Sequence, residues 1–167
     1  MKTKLICYAL ISMTVLSMGS CSKSSLPTTT VSNPNVTFLA TLNGASETPA
    51  NASMATGSAT FTYNKNTYIL TGSVTFDGIT PTNAHIHKGA VGVPGGVIFP
   101  LGSVPFTSPI SFTSEPLDAT QRADLLANMY YVNIHSADFP GGEIRGQLMG
   151  SSSADNGNGG DGGGGGY

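Results

Sequence analysis

The sequence predicts an all-β protein, an antiparallel β-sandwich with one short helix. Three observations lead there. In the middle of the chain apolar and polar residues alternate, which is the period of a half-buried strand. Glycine and proline number 22 and 10, and Ser and Thr crowd the connections, so turns are frequent. Only 10% of the residues are charged, which leaves few of the Glu and Lys that surface helices use.

The first 20 residues read as a secretory signal peptide. Lys2 and Lys4 precede an apolar run over 5–18, and small residues Gly19 and Ser20 precede Cys21. The run is shorter than the roughly 20 residues a spanning helix needs. The segment MGSC resembles a lipobox, so Cys21 is expected to be the acylated N-terminus of the mature chain. Met18 stands where such motifs more usually carry Leu. Residues 21–35 are rich in Ser, Thr and Pro without hydrophobic period, and read as a flexible tether.

Strand-like alternation then fills residues 36–148. In 36–42, Val36, Phe38, Ala40 and Leu42 share one side. In 58–63, Ala59, Phe61 and Tyr63 face away from threonines. The polar turn 64–66 joins this run to 67–76 as a hairpin, with Tyr68, Leu70, Val74 and Phe76 on one side. Further strands are expected at 83–87, 97–101, 110–113, 130–135 and 143–148. Residues 118–128 (DATQRADLLAN) form the expected helix, with Asp118 and Gln121 spaced as a capping box. Residues 149–167 are mostly Gly, Ser, Asn and Asp, and read as a disordered tail.

Composition narrows the function. The net charge is -2, and losing Lys2 and Lys4 with the leader makes the mature part more acidic. With no basic patch and no Trp, nucleic acid is not an expected partner. The cysteines are Cys7, inside the leader, and Cys21, so the mature domain has no disulfide and relies on its core. No G-x-S-x-G elbow, C-x-x-C pair, H-E-x-x-H helix or P-loop occurs. Glu47, Glu115 and Glu143 show no spacing that favours a glycosidase pair.

All three histidines lie in strand-like segments, A-H-I-H at 84–87 and Y-V-N-I-H at 131–135. Residues two apart share a face, so His85 points with His87, and Asn133 points with His135. If the two strands pair, three imidazoles and one amide gather on one surface. Such a set can hold zinc or copper, with water or a carboxylate completing the shell. The same residues also suit a structural hydrogen-bonding cluster or a contact with a partner. Arg145 sits mid-strand among few charges and is expected to pair with Glu47, Asp138 or Glu143, fixing the loop 44–51 or 137–142. Glu47, Asn133, Glu143 and Arg145 are therefore read as a structural polar cluster.

The strings NAHIHKGAVGVPGGVIFPL and YYVNIHSADFPGGEIRGQL, with FLATLNGASETPA at the start, resemble a CHRD (chordin-type) domain. The resemblance spans about 36–148 and implies an immunoglobulin-like or related sandwich in an extracytoplasmic setting. The H-x-H pair with a distant His is also similar to copper–zinc superoxide dismutases. This chain has only three histidines and no disulfide, which stops that likeness short of a dismutase. The expected function is an exported, lipid-anchored, non-enzymatic binding module. Its expected partners are the membrane through its anchor and an extracytoplasmic protein or glycan. The alternative is a three-histidine zinc or copper protein with redox or hydrolytic activity.

Overall fold

The computed structural model describes residues 33–151. The expected leader, Cys21, nearly all of the tether and the tail from residue 152 lie outside the described residues. Nine strands and one α-helix follow in the order β1 (Asn35–Asn43), β2 (Thr56–Asn64), β3 (Leu70–Asp77), β4 (Asn83–Lys88), β5 (Val97–Pro100), β6 (Ile110–Thr113), α1 (Ala119–Leu126), β7 (Tyr130–His135), β8 (Ile144–Gln147) and β9 (Met149–Ser151). A single 3-10 turn, Gly44–Ser46, follows β1. The expected all-β class with one short helix is what the described residues adopt. Among the described residues no helix is long and apolar enough to cross a membrane.

All nine strands belong to one antiparallel sheet, in the order β5-β4-β7-β8-β1-β2-β3-β6, with β9 beside β1. The sheet curls, so its two halves face each other as in a sandwich while staying hydrogen-bonded through β8 and β1. That junction is narrow, a single pairing of Asn43 with Arg145. Gly146 permits it, because a Cβ there would lie 2.5 Å from the Thr41 carbonyl oxygen of β1. At Leu148 the chain changes neighbours. Its N–H donates to Tyr130 of β7, and Met149–Ser151 then pair with Leu39, Phe38 and Thr37 of β1. These three residues, assigned from sequence to the tail, are the last strand. Asn128 fastens it by accepting from Gly150 N–H at 2.8 Å.

One core joins both halves. Phe38, Ala40 and Leu42 of β1 pack with Ala59, Phe61, Val74, Ala84, Ile86, Val132, Ile134 and Ile144, each the inward member of its alternation. Leu125 is fully buried and docks the helix on this core. Its start carries the expected reciprocal box, with Gln121 N–H donating to Asp118 Oδ1 at 2.8 Å and Asp118 N–H to Gln121 Oε1 at 3.0 Å.

The third strand begins later than the alternation suggests. Asn64 accepts from the N–H groups of Asn66 and Thr67, which lengthens the turn. Tyr68 then takes a left-handed conformation, φ 62°, and stays outside the strand. Its ring lies under the Arg122 guanidinium at 4.1 Å instead of joining the core.

Candidate metal centre

The site grows from the pairing of β4 with β7. The register sets His85 opposite Asn133, His87 opposite Tyr131 and Asn83 opposite His135. Ala84, Ile86, Val132 and Ile134 fill the core, so the alternate residues His85, His87, Tyr131, Asn133 and His135 occupy the opposite face. A bulge between Ile86 and His87, against β5, shifts the register where His87 projects. Loops cover this face. The β4–β5 loop supplies Gly95, the β7–β8 loop supplies Pro140, and the β1–β2 loop supplies Glu47.

The three imidazoles meet. Each offers a ring nitrogen, and the three atoms lie within 4.8 Å of one another. His85 Nδ1 stands 3.2 Å from His135 Nε2. Ring centres are 5.1 Å apart for His85 and His135, and 5.5 Å for His85 and His87. Around an ion bound at roughly 2.0–2.1 Å the nitrogens must close to about 3.4 Å. Side-chain rotation covers that difference.

Two tautomers follow from the neighbours. His87 Nδ1 is 2.9 Å from the Gly95 carbonyl oxygen, and His135 Nδ1 is 2.9 Å from the Pro140 carbonyl oxygen. A carbonyl only accepts, so each Nδ1 carries the hydrogen and each Nε2 keeps a lone pair, that of His135 turned toward His85 Nδ1 at 3.2 Å. His87 Nε2 is buried and has no partner among the described residues. Metal-bound histidines are held in this way, with the second nitrogen oriented by an acceptor. Here the acceptors are backbone oxygens from two Gly/Pro-rich loops. Burial, then the neighbouring His135 and His87, hold the His85 pKa below the ordinary imidazole value. His135 is also held low, by burial and by His87, against the opposing pull of Pro140. Neutral rings are the form that binds a cation.

The sequence model of the CHRD domain matches residues 38–148. The chain belongs to the CHRD family. The match takes in all three histidines of this CHRD domain and nearly all of its core. No curated protein and no solved structure matches the chain.

The polar cluster around the CHRD domain's histidines differs in part from expectation. Asn133 and Glu47 do meet, with Asn133 Nδ2 donating to Glu47 Oε1 at 2.6 Å. Burial raises the Glu47 pKa, while the Thr48 N–H and Arg145 pull it down. Glu143 turns elsewhere and accepts from Ser53 Oγ at 2.6 Å. Arg145, 3% exposed, has no carboxylate within ion-pair distance among the described residues. Its Nη2 donates to the Ala90 and Val93 carbonyls at 3.1 and 3.0 Å, and Nη1 reaches Thr48 Oγ1 at 3.4 Å. The guanidinium lies 3.5 Å from the centre of the Tyr131 ring, and His87 stacks on Tyr131 at 5.0 Å and 9°. Arg145 therefore fixes the loop over His87 through backbone oxygens, not through the expected ion pair. Tyr131 is a site residue that sequence reading missed. Its place two residues before Asn133, on the same face of the strand, was the available signal.

Proposed function

We propose that this CHRD domain binds one divalent transition ion, zinc or copper, through His85, His87 and His135. The observation that carries the reading is the buried, unpartnered Nε2 of His87, set among ring nitrogens that all lie within 4.8 Å. A bare buried acceptor is costly, and an ion supplies what it lacks. The carbonyl-held tautomers of His87 and His135 support the same reading.

The module is exported, acylated at Cys21 and held at a membrane surface by that anchor. It works there by binding, with an extracytoplasmic protein or glycan as its partner, and not by turnover. The lipobox-like MGSC segment supports the anchor. Redox or hydrolytic chemistry at the ion is the second reading, because three imidazoles leave a coordination position open.

Metal analysis of the purified protein, with calorimetric titration by zinc and copper, tests the metal reading. One ion per chain is expected, lost in the His85→Ala, His87→Ala double variant. No uptake by the wild type, or equal uptake by the variant, overturns it. Cys21→Ser is expected to abolish fatty-acid labelling, and equal labelling would remove the anchor.

A further inference from the structure

The histidine face contains a buried acceptor that the fold itself leaves unused. Asn133 lies on β7, opposite His85 on one side and Arg145 on the other. It is 4% exposed. Its Nδ2 donates to the Glu47 carboxylate, which fixes the amide, since a flip would set two acceptors against each other. Oδ1 is thereby committed to the other side, buried and without a partner among the described residues. Gly142, at φ +136°, packs against this pair, since a Cβ there would run into Asn133 Nδ2 and lie 2.7 Å from Glu47 Oε1 and 3.0 Å from Asn133 Oδ1.

We propose that Asn133 Oδ1 accepts a hydrogen bond from the ligand completing the three-histidine site, and selects ligands whose donor atom bears a hydrogen. The inference rests on the metal reading above. Three imidazoles leave one position for an outside ligand, water in the simplest case. Water bound to a divalent cation is a strengthened donor and needs an acceptor beside it. Asn133, cross-strand neighbour of His85 and two residues from His135, supplies one. Amines and alcohols keep the same bond. An anion such as azide presents only lone pairs to Oδ1, with the Glu47 carboxylate behind it adding repulsion. Selection against the wrong ligand comes from that clash.

The copper(II) form is titrated with azide and followed by its charge-transfer absorption. Asn133→Leu is expected to hold the same single ion and to bind azide about tenfold more tightly than the wild type. A gain of affinity is not an effect that a loosened fold produces. Equal azide affinity in the two proteins, with copper bound by both, overturns the role of Asn133 and leaves the metal reading standing. A wild type that takes up no copper overturns both. If Asn133→Leu fails to fold by circular dichroism, Asn133→Ala serves the same comparison. The wild type gives a further check by electron–nuclear double resonance in H2O and D2O. An exchangeable proton coupled to the copper more strongly than the imidazole N–H protons is expected, and its absence overturns the proposal.

Discussion

The rings of Phe99 and Phe112 stand 5.6 Å apart, although their strands lie at opposite ends of the sheet order. Phe99 also meets Tyr130 edge-on at 6.4 Å, and Phe112 meets Phe61 edge-on at 6.1 Å. Side chains, not ladder hydrogen bonds, thus bring the first and last strands together. This aromatic chain bridges the open side of the curl.

Phe99→Ala and Phe112→Ala are each expected to cost about 2 kcal/mol, with a coupling of about 1 kcal/mol in the double-variant cycle. Urea unfolding of the four proteins measures it. Strict additivity would mean the two ends of the sheet are held by other contacts.

The ion-free domain should lose stability in mild acid. Burial above all holds the folded pKa values of His85 and His135 below the ordinary imidazole value of about 6.5. As pH falls through that value the unfolded chain gains protons that the folded chain resists. Stability is therefore full above about pH 6.5 and declines below it, toward the depressed folded values. Thermal melts in chelator between pH 7.5 and 5 give the profile. His85→Ala should flatten it, and an unchanged slope would show that these rings do not drive the effect.

Gly142→Ala is expected to destabilise the domain by about 2 kcal/mol, through its backbone angle and its intrusion on the Asn133–Glu47 bond. A chemical-denaturation midpoint equal to the wild type would contradict the crowding argued above.

Tyr130 carries the opposite expectation. Its hydroxyl is buried without a partner among the described residues, and burial, with Asp124 and Asp118, pushes its pKa up to about 12. Tyr130→Phe removes an unsatisfied group and should leave the melting temperature equal or higher. A loss above about 1 kcal/mol would reveal a partner for the hydroxyl.

Much of the fold could be read from alternation alone, because period two states which face a residue takes. It places His85 with His87 and Asn133 with His135, and it separates Ile86, Val132 and Ile134 into the core. It says nothing about which strands are neighbours, so the pairing of β4 with β7 stayed a condition until the structure gave the register. The Phe99–Phe112 contact was hidden for the same reason. The partners of Arg145 and the carbonyls that hold His87 and His135 were also hidden. A backbone oxygen exists at every residue, so no letter marks the one that a loop will present. Met149–Ser151 escaped because three small or flexible residues show no period, and their strand is imposed by Asn128 and β1.

The carbonyls on His87 and His135 bear on how quickly such a site works. Both rings are oriented before any ion arrives, on strands anchored in the core. If the site takes an ion as proposed, capture would require no refolding and little loss of side-chain freedom, and uptake would follow a single second-order step. A site built this way suits exchange with its surroundings better than permanent retention.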